Sequence, residues 1–550
     1  MNTTDVLIVG AGPTGLTMAN LLARSGVDFR VIDKIDGPTE ESRALVVHAK
    51  TLELFDKLGL ADRAVEDGQR MGAAEMLREG KSVGKLSFFE DGQEQRTPYP
   101  IALIYEQHKT ERLLIRSLEE AGVRVEWNTE LRNLSQTSDG ARAVVRHPDG
   151  SEETIEARWV VGADGASSPV RHSLDLDFEG DTYEQTLFLA DMEMDSELGA
   201  RRVYIDFTRT SFYGLFPMPG DRRFRLIGNV PEELEGKEEI TARDVQNTLD
   251  EHSGLRTRIT ALHWSSIYRT HRRMTERFRV GRVFLAGDAA HIHSPAGGQG
   301  MNTGIGDAYN LGWKLASVVK GQAREALLDS YEAERMPFAR AILNGSDQGF
   351  SLVGDTTNPL AQRLKVLAAP LLFRIVSQVP ILRRWGFWFI SQLWTSYKDS
   401  PVVAQPGPAK KGPKAGERAT YGFYEAGPYS GESIFEKLRG TDHHLLLFEG
   451  KETDHDRLEA SREEIEALLD RYAVPVSIHP IRTENKQLHE RYGAKAPSLF
   501  LVRPDGHVAY RGGAADIVGL RMYLDGLFVK DRERIGQNSD TKIAERSGRS

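Results

Sequence analysis

The sequence predicts an α/β protein: a nucleotide-binding sheet interrupted by an inserted, mainly antiparallel sheet, with a smaller α/β domain after it. Three observations carry that prediction. Residues 5–26, DVLIVGAGPTGLTMANLLARSG, read as a strand, a glycine-rich turn and a helix. Residues 282–315, RVFLAGDAAHIHSPAGGQGMNTGIGDAYNLGWKL, repeat that order with more glycine. Between them, from about Leu174 to Arg279, strand-like segments such as RRVYIDF, SFYGLFPMP and RFRLIGNV dominate. At 550 residues the chain exceeds one ordinary core, so several domains are expected.

In chain order, VLIVG, a helical pattern to Gly26 and FRVID open a βαβ unit. Helical patterns follow at Thr51–Leu60 and Thr110–Gly122. RVEWN returns to strand, and RAVVRHPDGSEETIEARWVVGADG reads as a hairpin with a further strand. After the middle block, VFLAGD resumes the first sheet and enters a long helix. Leu364–Leu393 is apolar but broken by Arg374, Arg383, Arg384 and two prolines. That pattern favours amphipathic helices over a membrane span, with a peripheral membrane or partner surface as the second reading. PVVAQPGPAKKGPKAG reads as a linker or crossing loop. HHLLLFEG, a helix at Ser461–Tyr472, VPVSIHPI, PSLFLVRPDGHVAYRG and a helix near Leu520 make the last domain. The expected division is 1–173 with 280–345, then 174–279, a helical segment 346–400, a linker 401–416, a domain 417–530 and a disordered tail 531–550.

Net charge is -9 and the isoelectric point about 6.0, which argues against a nucleic-acid binder. There is no cysteine, so disulfides, thiol catalysis and Cys-based metal clusters are excluded. The same absence is consistent with a reducing cytoplasm, the expected location. No basic or signal-like apolar run precedes the first strand, so no leader is expected. His291 and His293 form an HxH pair without a third ligand nearby, so no metal site is expected.

Gly10, Gly12 and Gly15 follow a buried-type strand and open a helix, the context a Rossmann-like dinucleotide site requires. Gly10 permits the tight turn, Gly12 lets backbone amides reach a pyrophosphate, and Gly15 allows close helix–strand packing. The positive end of the helix then faces the phosphates. Asp33, eighteen residues after Gly15, can accept hydrogen bonds from a ribose diol and disfavours a 2′-phosphate. NADP is thereby excluded from this site, while NAD and FAD remain.

The second signature moves the balance to flavin. Gly287 and Asp288 end a strand, where a carboxylate can bind ribityl hydroxyls, a polyol that NAD lacks. Pro295, Gly297, Gly298 and Gly300 then let backbone lie against a flat ring. A helix beginning near Met301–Asn302 points its positive end at that ring, which suits a reduced, anionic flavin. A third strand, WVVGADGASSPVR, ends in Asp164 and Gly165.

Three motifs in this order resemble the single-component FAD-dependent aromatic hydroxylases, such as the para-hydroxybenzoate, phenol and aromatic-polyketide hydroxylases. Further matches are SRALVVHAKTLELF at Ser42–Phe55, Gly297–Leu315 and SYEAERMP at Ser330–Pro337. The resemblance covers roughly residues 1–400, and the last domain resembles the thioredoxin-like domain of the phenol-hydroxylase branch, often used in dimerisation. It implies a discontinuous FAD-binding domain, the inserted sheet as substrate domain, and a possible homodimer. It also implies Arg43 and Gln107 on FAD, Asp33 on the adenosine ribose and Asp288 on the ribityl chain. Asp164 would help place FAD and take part in NAD(P)H use. Pro295, Gly298, Met301 and Asn302 would border the isoalloxazine ring. Pro13, Thr14, Lys34, Leu131, Gly287 and Gly300 complete the cofactor-contacting set.

The implied activity is hydroxylation of an aromatic substrate, with NADPH or NADH as donor and molecular oxygen as co-substrate, through a flavin hydroperoxide. Pro295 and Gly298 would border the reacting ring. Tyr213, Tyr268, His271 and Arg273 are candidates to bind or deprotonate a phenol. Arg201, Arg202, Arg209 or Arg273 could meet an anionic substrate. On SFYGLFPMP, alternation places Phe212, Gly214 and Phe216 on one face and Tyr213, Leu215 and Pro217 on the other, with either free to meet substrate. A halogenase lacks support, since GFWFIS is not the WxWxIP motif of that group. A flavin oxidoreductase without oxygen insertion and a non-catalytic FAD-binding protein remain as alternatives.

Overall fold

Val6, Leu7, Ile8 and Val9 form an unbroken apolar run because their strand, Asn2–Val9, is covered on both faces. It pairs in parallel with Phe29–Ile32 on one side and Glu152–Gly162 on the other. Val283–Leu285 pairs in parallel with the far side of Glu152–Gly162. The strands of the two glycine-rich signatures therefore lie two places apart in one seven-stranded Rossmann-like sheet. Glu130–Gln136 and Ala141–Arg146 extend it as an antiparallel flap. The helices Pro13–Arg24 and Gly300–Val319 pack closely, since a Cβ on Gly312 would lie 2.8 Å from a methyl of Leu21.

The computed structural model describes residues 2–40, 42, 44–78, 80–87, 96–207, 212–234, 236–237, 239–253, 255–294, 296–354, 368, 373, 375, 377–408, 411–451 and 455–531.

The inserted sheet has eight strands built around one long antiparallel pair, Phe178–Ser196 with Thr257–Thr275. Arg223–Asn229, Phe212–Pro217 and Arg202–Phe207 follow as a meander. One face carries Phe188, Met192, Tyr213, Leu215 and Leu226 and packs on the helix Ala242–His252 through Val245 and Leu249. That helix starts with a reciprocal cap between Thr241 and Asp244.

One expected boundary moves. The hairpin Ala73–Arg78 and Lys81–Ser87, placed by the sequence division in the nucleotide-binding part, forms the edge of the inserted sheet, parallel to Arg202–Phe207. Its burial does not alternate, and its partner strand is far along the chain, so local periodicity carries no sign of the pairing.

The last domain has a four-stranded mixed sheet of thioredoxin-like type, ordered Val476–Ile481, His443–Phe448, Ser498–Val502, Val508–Gly513. The first pair is parallel and the rest antiparallel. The segment before it is a pinned crossing loop. Val402 is buried, Ala404 N–H donates to Ala509 O at 2.9 Å, and Ser400 Oγ donates to Glu334 at 2.6 Å. The expected disordered tail, beyond Asp531, lies outside the described residues. Among the described residues no helix is long and apolar enough to cross a membrane.

Candidate functional site

The first signature forms an open cradle. Gly10 sits at φ +105° against the end of Glu152–Gly162, where a Cβ would fall 2.3 Å from Ala163 O. Gly15 allows no side chain either, its Cβ falling 1.9 Å from Gly10 O. Gly12, by contrast, precedes a helix with no side-chain cap, and a Cβ there would meet nothing within 4 Å. Helix amides thus face open space, with Pro13 lacking an N–H at the first helical position. Asp33 is fixed beside them: Oδ2 accepts from Ala11 N at 2.6 Å and Oδ1 from Ile35 N at 3.2 Å. Thr129 N donates to Asp33 O, and Leu131, two residues on, is buried in the main core. Lys34 is exposed.

The two signatures meet at Thr14. Its Oγ1 stands 2.6 Å from where a Cβ on Gly287 would lie and 2.3 Å from one on Gly304. Gly287 is at φ +60°, and its N–H donates to Asp307 Oδ2 at 3.0 Å. The same carboxylate holds His291 Nε2 at 2.8 Å and Arg335 Nε at 2.6 Å. Burial alone would raise Asp307, but Arg335 and His291 outweigh it and hold the carboxyl below its usual range. Asp288 is exposed at the turn, where a polyol could reach it. His291 and His293 stack on each other, and no metal-holding cluster occurs among the described residues.

Gly297 and Gly298 follow at φ +76° and +62°, values that favour glycine. The segment Val46–Thr51, not assigned to this loop from sequence, fastens it. His48 Nε2 donates to Gly297 O at 2.9 Å, and burial pushes its imidazole down to about 4, so the ring is neutral. The Asn302 side chain donates to Val46 O and Gly298 O, both at 2.8 Å, and accepts from His48 N and Thr51 Oγ1. Asn302 therefore locks the loop with its side chain and leaves only its backbone for a bound ring. Met301 is half-buried on the main core, and a Cβ on Gly300 would lie 3.6 Å from the His293 ring. Pro295 and Arg43 lie outside the described residues.

Gln107 accepts from Ala44 N at 3.3 Å and donates to Glu111 at 2.9 Å. Glu111 also accepts from Thr39 N at 2.9 Å. Asp164 accepts from Ser168 Oγ at 2.5 Å and Val170 N at 3.0 Å, capping the short helix Pro169–Ser173, and burial raises its carboxyl. Arg171 joins this turn to the second signature, donating to Ala166 O and Ala289 O at 2.8 and 2.9 Å.

The faces of Phe212–Pro217 are now distinguished. Tyr213 is buried in the core of the inserted sheet, edge-on to Phe188. Phe216 points the opposite way and packs with Val46, Met71, Ile104 and Met218. Val46 in turn lies 3.2 Å from where a Cβ on Gly298 would sit, so the Phe216 face is the one that reaches the glycine loop. In register with Phe216 is Arg225, fully buried and paired with Asp191 at 2.6 and 2.7 Å. Its Nη1 has no partner among the described residues. The pair was not legible in sequence, because Arg225 resembles the exposed Arg222 and half-buried Arg223 beside it. Burial drives Tyr268 up to about 12. His271 and Arg273 both bond Thr182 Oγ1 near the strand His291–Ile292. Arg202 pairs with Glu75, Arg201 is exposed, and Arg209 lies outside the described residues.

The arrangement fits FAD. An uncapped helix end over open space, a fixed Asp33, an exposed Asp288 and a positive-φ glycine loop follow one another along one sheet edge. The FAD binding domain family matches residues 3–346. Across 540 residues the chain is 33% identical to 6-methylpretetramide 4-monooxygenase of Streptomyces rimosus, covering 96% of this chain and 94% of that one. It is 32% identical over 545 residues to pentachlorophenol 4-monooxygenase of Sphingobium chlorophenolicum, covering 96% and 97%. Among solved structures it is similar to the OxyS anhydrotetracycline hydroxylase from Streptomyces rimosus, with a TM-score of 0.71, 27% identity, and coverage of 95% and 98%.

Proposed function

This chain belongs to the FAD binding domain family, as a flavin-dependent aromatic monooxygenase, and on that premise we propose how its residues divide the work. The observation that carries the proposal is the convergence at Thr14, which sets the open cradle at Gly12 against Gly287 and Gly304 of the second signature. Helix amides after Gly12 hold the pyrophosphate, Asp33 the adenosine ribose, Asp288 the ribityl chain, and backbone amides around Gly300–Asn302 the pyrimidine edge. When bound, FAD would supply the redox chemistry, with NADH or NADPH as electron donor and molecular oxygen as co-substrate. The protein orients and dries that chemistry.

The substrate lies on the Phe216 face of the inserted sheet. Phe216, Val46 and Ile227, which is two residues on from Arg225 on the same face, give it an apolar surface, and the Arg225–Asp191 pair adds one polar point. Because Asp191 neutralises Arg225, the spare Nη1 suits a hydroxyl or carbonyl oxygen better than a carboxylate. The names of the relatives, a pentachlorophenol 4-monooxygenase, a 6-methylpretetramide 4-monooxygenase and an anhydrotetracycline hydroxylase, agree with a phenolic or polycyclic substrate.

Purified protein should be yellow, and a panel of phenols and polycyclic phenols should stimulate NAD(P)H oxidation. With labelled oxygen gas, one labelled atom should enter the product. Stimulated oxidation with unlabelled, reduced product would replace hydroxylation by simple flavin reduction. A protein that does not retain FAD would end the proposal.

A further inference from the structure

Rows of side chains cross the inserted sheet on its Phe216 side. Asp191 pairs in register with both Arg225 and Trp264, and Leu187 with both Asn229 and Tyr268. Between these rows runs a third, Leu189 with Ile227 and Ser266, which carries no charge. Phe188, Ala190 and Leu226 alternate with these residues and lie in the core on the other side of the sheet. The outer rows are four residues apart along each strand. At strand spacing that is about 13 Å.

Each outer row holds a buried polar atom with nothing to bond. In one it is Arg225 Nη1, and in the other Asn229 Oδ1, which has no partner among the described residues. Tyr268 flanks Leu187 on the side away from Asn229 and is half-buried. Burial holds its phenol at about 12, so the hydroxyl keeps its proton and can donate as well as accept. A buried acceptor left unpaired destabilises a fold unless a ligand satisfies it. Two such atoms, set on either side of an uncharged row, describe a ligand with polar groups at both ends.

We propose that the substrate is an elongated polycyclic phenol held at both ends, with one oxygen on Arg225 and a far hydroxyl on Asn229 and Tyr268. The proposal rests on the reading that substrate lies on the Phe216 face. A hydroxyl suits the second point because it donates and accepts, and so satisfies the carboxamide and the phenol together. A single ring covers one row interval, about 7 Å, and so meets one outer row. A fused system of about three rings meets both, with its apolar middle over Leu189 and Ile227. Asn229 and Tyr268 thus determine specificity for length and for the far hydroxyl.

The test is calorimetric titration of the FAD-loaded full chain with a graded set of probes. Anthraflavic acid is a fused tricycle with a hydroxyl at each end, beta-hydroxyanthraquinone keeps only one of them, and hydroquinone is a single ring. Anthraflavic acid should bind roughly tenfold or more tightly than either of the others. Asn229→Leu and Tyr268→Phe should each reduce that ratio, and the double variant should abolish it. Tyr268→Phe keeps the ring, so the test survives if Asn229→Leu lowers the thermal midpoint. Equal affinities in the wild type, or variants that keep the full ratio, would overturn the proposal. Incorporation of labelled oxygen, measured in parallel, separates this proposal from the activity on which it builds. Discrimination without incorporation supports two-ended binding and ends hydroxylation, whereas incorporation into hydroquinone as readily as into the tricycle ends two-ended binding alone.

Discussion

Arg503 donates through both terminal nitrogens to the two carboxylate oxygens of Glu334, at 2.6 and 3.0 Å, joining the thioredoxin-like domain to the helix Asp329–Gly354. Both side chains are fully buried. Lys314 Nζ completes the carboxylate at 2.8 Å, and Arg503 also pairs with Asp505. The neighbouring Arg335 reaches Tyr397 and Asp307, and Asp307 holds the Gly287 amide. The last domain is thus joined by buried charge to the turn of the second signature.

Arg503→Met leaves Glu334 short of its bidentate partner in a buried place. The expected cost is about 3–5 kcal/mol, read as a lower denaturation midpoint. Burial opposes ionisation of Glu334, but Arg503 and Lys314 bring its carboxyl down to about 2 from 4.5. A depressed carboxyl stabilises the fold above the unfolded value and loses that contribution as pH falls from 4.5 towards 2. Acid titration of the midpoint should show this loss in the wild type and much less of it in Arg503→Met.

A second pH dependence lies higher. Burial pushes His48, His293 and His507 each to about 4 from 6.5, so the folded state resists their protonation. Between those values the unfolded chain binds more protons, and stability must fall as pH falls from 6.5 to 4. His48→Gln keeps a donor for Gly297 O but removes one titrating group. Its thermal midpoint should vary less steeply with pH over this window while FAD is retained.

Gly12→Ala and Gly15→Ala should fail differently. A methyl on Gly12 meets no protein atom within 4 Å, so the apo-protein keeps its thermal midpoint while FAD binding weakens by roughly tenfold or more. A methyl on Gly15 falls 1.9 Å from Gly10 O, so that variant should lose stability or fail to fold. Equal stability losses for both would show that the space before Gly12 is not a ligand cradle.

Tyr213→Ala removes a buried ring from the core of the inserted sheet and should cost about 3–5 kcal/mol. Substrate KM should be little changed in the protein that remains folded. Phe216→Ala should raise KM by roughly tenfold, from lost apolar contact, with a smaller effect on stability. The reverse outcome would move the substrate to the other face of the sheet.

The fold class, both glycine-rich turns, the cofactor chemistry and the exclusion of thiol function were all determined by the sequence itself. These are local properties. A run such as Val6–Val9 encodes burial on both faces, and Gly10, Gly15 and Gly287 stand where no side chain would fit. The tertiary structure decided which face of Phe212–Pro217 looks at the glycine loop, where the Ala73–Ser87 hairpin pairs, and that Arg225 and Arg503 are buried ion-pair members. Strand alternation separates two faces but cannot say which meets the cofactor, since that depends on strands and loops far away in sequence. An arginine destined for a buried pair is likewise indistinguishable from a surface one until a distant carboxylate, Asp191 at 34 residues from Arg225 and Glu334 at 169 from Arg503, is folded against it.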